Sequence, residues 1–266
     1  MTKTSLTFYG GVKEIGGNKI LLRDGDTKIF LDFGMSFGKR GQFFEEFLTP
    51  RTANGIGDFI TMGLIPDLKG VYREDLMKHF GRKPKPTDID AVLLSHAHAD
   101  HANYVCFLHR DIPVHCGETC KSILDAVQEQ AQRTIENEVI DFKPRPLFRC
   151  DYRKPTIERK FKTFRTGGRF KIGSLEIEPI HVDHSVPGAY GFIIWTSKGP
   201  VVYTGDRRMH GAHSEMTLDL INRAKEVKPI AMISEGTRID IKKTCLLYTS
   251  DAADELDGVD LGGRRI

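Results

Sequence analysis

Residues 95–101 read Ser95-His96-Ala97-His98-Ala99-Asp100-His101, and no other stretch constrains the chain as strongly. Three of the chain's ten histidines and one aspartate fall within six positions. Imidazole binds cations such as zinc through a ring nitrogen, and a carboxylate can bridge two of them. Four such donors this close together point to a metal centre rather than to an exposed polar loop. In a tight loop, His96 and His98 can face one cation while Asp100 and His101 reach a second, roughly 3.5–4 Å away. The apolar run Ala91-Val92-Leu93-Leu94 leads straight into the cluster, which fits a buried strand feeding a loop.

The surrounding pattern is mixed. Residues 5–9, 20–22 and 29–33 read as strands, with a hairpin signal at Asp24-Gly25-Asp26. Residues 72–80 have helical character inside a less regular segment, 34–86, which reads as an insertion or lid rather than a core layer. Ile123, Val127, Ala131 and Ile135 recur at four-residue spacing, predicting an amphipathic helix over 119–136. Strands are predicted at 175–180, 190–196, 201–204 and 230–234, and a helix at 215–225. Strands separated by helices suggest a mixed α/β sandwich.

Composition narrows the setting. No stretch approaches the roughly 18 apolar residues of a membrane span, and residues 1–11 show no basic segment followed by an apolar one. Five cysteines, an odd number without a C-x-x-C pair, argue against a disulfide framework and for a reducing cytoplasm. The net charge of +3 says little, but residues 143–171 hold eleven Lys or Arg against two acids, Asp151 and Glu158. Such a stretch can contact phosphates, or it can be a solvated face.

The His run resembles the second motif of the metallo-β-lactamase superfamily, and other motifs follow in that family's order. Asp32, in Phe30-Leu31-Asp32-Phe33-Gly34, resembles the first, although it can also be a turn residue before Gly34. His184, in Asp183-His184-Ser185-Val186-Pro187-Gly188, resembles the third; His181 is its rival, and the Ser-Val-Pro that follows favours His184. Asp206, in Tyr203-Thr204-Gly205-Asp206, resembles the fourth. The resemblance implies an αββα sandwich, incomplete at the C-terminus. It implies one zinc on His96, His98 and His184 and a second on Asp100 and His101, with Asp206 between them. Asp32, Asp100 and Asp206 are its catalytic carboxylates, with Asp32 orienting the His loop. His210 is a candidate to support this set from behind, whereas His79, His109, His115 and His213 match no motif and read as surface or packing residues.

Within the superfamily, Gly10-Gly11-Val12-Lys13-Glu14-Ile15-Gly16-Gly17-Asn18 resembles the opening of the β-CASP nuclease branch, the ribonuclease J group especially. Ser234-Glu235-Gly236-Thr237 resembles that branch's first additional motif. The implied reaction is zinc-assisted hydrolysis of RNA phosphodiester bonds, with exonuclease character. Glu235, Arg153, Lys154, Arg159 and Lys160 are the expected substrate contacts. The implied partner is RNA rather than a membrane, and the intact parent can form a homo-oligomer. The 34–86 segment is longer than the usual ribonuclease J loop. A small-molecule thioester or lactone hydrolase, or a non-catalytic RNA- or metal-binding module, stays open as an alternative. Residues 245–266 resemble a translated sequencing-library adapter. The evolved domain is therefore expected to span 1–244, with its insertion at about 35–88, and the chain as written is expected to fold marginally and turn over poorly.

Overall fold

The computed structural model describes residues 3–44, 48–147 and 155–237. Arg153, Lys154 and the adapter-like run 245–266 lie outside the described residues. Two sheets form the body. The first takes β1 (Thr4–Gly10), β2 (Lys19–Asp24), β3 (Thr27–Phe33), β4 (Ala91–Leu93) and β5 (Val114–Gly117) in that spatial order. After a separate two-stranded pair, β6 (Asp141–Phe142) and β7 (Ile157–Glu158), the chain returns as β8 (Phe161–Phe164), which pairs directly with β5 at the sheet's edge. The second sheet holds β9 (Phe170–Ile172), β10 (Leu175–His181), β11 (Tyr190–Thr196), β12 (Gly199–Tyr203) and β13 (Ala231–Ile233). Strands β1 to β3 are antiparallel, β3, β4, β5 and β8 run parallel, and β13 joins β12 in parallel.

The period of two along these strands sorts side chains into layers. Ile20, Leu22, Ile29, Leu31, Ala91 and Leu93 turn inward and meet Leu175, Ile177, Phe192, Ile194 and Tyr203 of the second sheet. Phe30, Val92, Leu94 and Val114 turn outward from the first sheet into a helical layer. Ile193 and Val202 turn outward from the second sheet onto Leu220 of a helix at Ser214–Val227. Three apolar layers between two sheets and two helical coats make the αββα sandwich that the sequence implies.

Two expectations change. The 34–86 segment is a core layer rather than a lid, because Phe44, Ile56, Phe59, Leu64, Ile65, Val71, Tyr72 and Leu76 are buried with Phe30 and Val92. Its aromatics interlock: Phe59 packs on Phe107 at 4.5 Å and edge-on to Tyr104 at 5.8 Å between ring centroids. The segment looked irregular because it is built from short helical turns, Phe37–Gly41, Gly57–Thr61 and Glu74–His79, too brief to show a helical period. The helix expected over 119–136 spans Glu118–Gln130, and its buried face is Cys120 and Leu124, while Val127 is exposed. Only its first half rests on the sheet. Past Gln130 the chain turns extended at Ala131, and Gln128 anchors that exit by accepting the Ile140 N–H at 2.7 Å.

Among the described residues, no helix is long and apolar enough to cross a membrane. Cys106, Cys116 and Cys120 are free and buried.

Candidate metal centre

The site lies where β3, β4, β10 and β12 end on one side of the sandwich. Strand β4 stops at Leu93, and two residues later the chain is captured by Asp32 at the end of β3. Asp32 accepts the Ser95 N–H and Ser95 hydroxyl, both at 2.7 Å, His101 Nδ1 at 2.6 Å and the Tyr203 hydroxyl at 2.5 Å. Its backbone φ is +55°, a left-handed conformation sparsely populated by non-glycine residues. Four donors on one fully buried carboxylate hold it there, and the strain, of order 1–3 kcal/mol, aims that carboxylate back into the His loop. Gly34 then lets β3 pass the loop, since a Cβ there would sit 1.7 Å from the Asp100 carbonyl oxygen.

This network sets the histidine tautomers. The Ser95 hydroxyl gives its proton to Asp32 and so accepts from His96 Nδ1 at 2.9 Å, which turns His96 Nε2 inward as a lone pair. His96 Nε2 stands 3.0 Å from His98 Nδ1, and His184 Nε2 stands 3.1 Å from the same nitrogen. Three ring nitrogens from two loops thus converge. Burial, then the neighbouring His101, His184 and His98, push His96 well below the usual histidine pKa. It is a neutral imidazole, the form that binds metal.

A second group adjoins the first. His96, His101 and Asp206 also bring ligand atoms within 4.8 Å of one another, as His96, His98 and His184 do. His101 Nδ1 is taken by Asp32, so Nε2 faces Asp206 at 3.3 Å and Asp100 at 3.7 Å. Burial opposes a charge on His101, yet Asp206, Asp100 and Asp32 outweigh it and lift its pKa well above the ordinary value. Positive charge is favoured at that nitrogen, whether as a proton or as a metal ion. Burial likewise works against Asp206, but His101, joined by His184 and His98, holds its carboxyl at about 2. Burial pushes Asp100 up, with His101 opposing. Imidazole lone pairs facing one another, backed by buried carboxylates, are a donor set that zinc fits.

The structure thus brings together His96, His98, His101, His184 and Asp206, with Asp100 at the border and Asp32 behind. His181 stands apart, half-buried and stacked on Tyr190 at 4.3 Å. His210 is exposed on the loop after Asp206. The Glu235 carboxylate accepts the Arg207 N–H at 2.8 Å and so braces the residue that follows Asp206. Arg159 is a correction. Expected to meet substrate, it is 3% exposed, donates to the carbonyls of Leu108 and Cys106 at 2.8 and 2.6 Å, and stacks over Phe142. A guanidinium's five donors suit loose carbonyls at the end of a short helix, and that is where this one is used. Lys160 is exposed and paired with Asp111 at 3.2 Å. Ser95 and Tyr203, which stand inside the quoted motifs, are site residues that the sequence reading did not name; a hydroxyl carries no ligand signal, and their role shows only in their contacts with Asp32.

The beta-lactamase superfamily domain matches residues 66–225, more than half of the chain. Ribonuclease J of Helicobacter pylori is 24% identical over 235 residues, covering 87% of this chain and 27% of that protein. Ribonuclease J of Mycoplasma genitalium is 24% identical over 242 residues, covering 90% of this chain and 34% of that protein. The chain therefore spans about a quarter to a third of the length of these relatives. A crystal structure of a protein of unknown function from Enterococcus faecalis superposes with a TM-score of 0.69 at 28% identity, over 92% of this chain and 52% of that one.

Proposed function

This chain belongs to the metallo-β-lactamase superfamily, a family of hydrolases, and from that premise we propose that residues 1–244 are the metal-binding domain of a zinc-dependent ribonuclease of the ribonuclease J, β-CASP type. The convergence of His96, His98 and His184, with His101 and Asp206 alongside, carries the metal reading. The similarity to two ribonucleases J over 87% and 90% of the chain supports RNA as substrate. The same similarity supports a cytoplasmic place.

In this reading His96, His98 and His184 would hold one zinc, and His101 and Asp206, with Asp100 beside them, would hold a second. Bound zinc supplies electrostatic activation of water and of the phosphodiester. The chain's own residues do the rest. Asp32 keeps the proton on His101 Nδ1 and fixes the ring; Ser95 does the same for His96. Asp206 stays a carboxylate across the working pH range. Glu235 steadies the loop that leaves Asp206.

The experiment compares zinc-loaded chain on end-labelled single-stranded RNA and on thioester and lactone substrates. Slow metal-dependent RNA cleavage, lost on chelation and in His98→Ala, is expected, in keeping with a chain that spans only part of the length of its ribonuclease J relatives. Turnover of a thioester or lactone with the RNA left intact would overturn the ribonuclease reading in favour of the small-molecule one.

A further inference from the structure

The loop between β1 and β2 plays no part in the reading above, yet it runs along the second ligand group. It ends at Asn18, whose main chain is held at both ends: its N–H donates to the Asp100 carbonyl at 3.1 Å and its carbonyl accepts the Gly34 N–H at 2.9 Å. Asn18 is therefore fixed to the His loop itself. Its side-chain Nδ2 stands 3.0 Å from His101 Nε2. That nitrogen also faces Asp206 at 3.3 Å and Asp100 at 3.7 Å.

The neighbourhood limits how the amide can move. A Cβ on Gly11 would lie 2.1 Å from Asn18 Oδ1, and Gly11 has a φ of +80°. The amide plane thus packs against bare main chain, in a slot that a side chain at position 11 would fill. A half-turn of the amide exchanges its oxygen and nitrogen with little change of shape. Asn18 can accordingly meet His101 Nε2 as a donor, or put a carbonyl oxygen toward a positive charge at that place. Every other polar atom facing this nitrogen from Asp100 and Asp206 is a carboxylate oxygen. A neutral amide oxygen would add a ligand without adding a third negative charge.

We propose that Asn18 is a positioning residue of the second cation position, its amide set by Gly11 and by the Asp100 and Gly34 main chain so that it governs how tightly that position holds its metal ion. The inference rests on the metal-centre reading above. It gives the glycine-rich run 10–18 a job at the site: carrying one amide to one imidazole.

The test titrates zinc into the metal-free 266-residue chain against a chromophoric chelator, for the parent, Asn18→Ala and Asn18→Asp, with thermal unfolding of each metal-free protein as a control. In Asn18→Ala the second equivalent should weaken about tenfold to a hundredfold while the first changes less than about twofold. Asn18→Asp keeps an oxygen at the same place and should restore or tighten the second equivalent. Cobalt in place of zinc should show the same split in its visible absorption. Equal second-site affinity in parent and Asn18→Ala would overturn this inference and leave the metal centre standing. Weakening of both equivalents together with a lower unfolding temperature would make Asn18 merely structural, which also overturns it. A parent that takes up no zinc would overturn the metal-centre reading, and this inference with it.

Discussion

Residues 95–101 and residues 143–171 both look functional through density of one kind of side chain, imidazole in the first and cation in the second. The two densities end differently. In the first, the rings turn toward each other, because the protons that would keep them apart are taken up by Asp32 and Ser95. In the second, several of the described cations find acids in other segments. Arg145 pairs with Glu138, Lys160 with Asp111, Arg165 with Glu118, and Arg169 with Glu176 and Glu178. Arg159 goes further and is buried against two carbonyls. Neutral imidazoles can be crowded at little electrostatic cost, whereas like charges in a folded chain must be dispersed or neutralised. A cluster of histidines therefore survives folding as a cluster, and a run of lysines and arginines does not.

The comparison can be broken from either side. The largest effect is expected from His96→Ala combined with His98→Ala, which removes donors from both ligand groups. Zinc affinity should fall by more than about 100-fold, beyond what loss of a supporting residue costs, as read by elemental analysis after dialysis. Unchanged zinc content would place the ligands elsewhere and leave the imidazole cluster no different from the cationic run.

An intermediate effect should separate two neighbours within that run. Arg159→Ala orphans the Leu108 carbonyl and leaves the Cys106 carbonyl only a long bond from Arg73 at 3.4 Å, and should destabilise by about 1–3 kcal/mol. Lys160→Ala should stay within about 0.5 kcal/mol, as for an exposed pair. Denaturant midpoints at constant slope would read both. A harmless Arg159→Ala would return that side chain to the surface and revive it as an RNA contact.

The smallest effect concerns His115, buried on β5 and stacked on Phe170 at 5.2 Å. Burial, with Lys162 adding to it, pushes its pKa down to about 4 from an ordinary 6.5. Between those values the unfolded chain binds the proton and the folded one does not. Stability should therefore be intact above about pH 6.5 and decline as the pH falls toward 4. His115→Gln should flatten that part of the profile. An unaltered slope would mean that this imidazole is hydrated, and the cationic run around it more open than its pairing implies.

The sequence made the site more legible than the scaffold around it. That His96, His98, His184 and Asp206 converge could be anticipated because ligand chemistry restricts such positions to a few residue types, so the motif is written in identities. The unbroken apolar run Ile29-Phe30-Leu31 announced β3 for a related reason, since a strand between two apolar layers is apolar on both faces. The 34–86 segment misled because its turns are shorter than one helical repeat pattern, and its Phe59 and Tyr72 are recognisable as core only once their partners Phe107 and Phe33 are known. Val127 misled differently: its spacing was right for a helix, but no local signal says which half of a helix a sheet will cover. The tautomers set by Asp32 and Ser95 depend on contacts across the sandwich, such as the Tyr203 hydroxyl on Asp32, which a linear reading does not contain.

The grip on Asp32 has a mechanical consequence. Asp32 and Ser95 belong to the first sheet's strand ends, while Tyr203 comes from the second, and the Tyr190 N–H reaches across to the Ser95 carbonyl at 2.9 Å. The ligand loops are thus riveted where the two sheets meet. Prying the sheets apart to admit a guest would dismantle the very groups that should receive it.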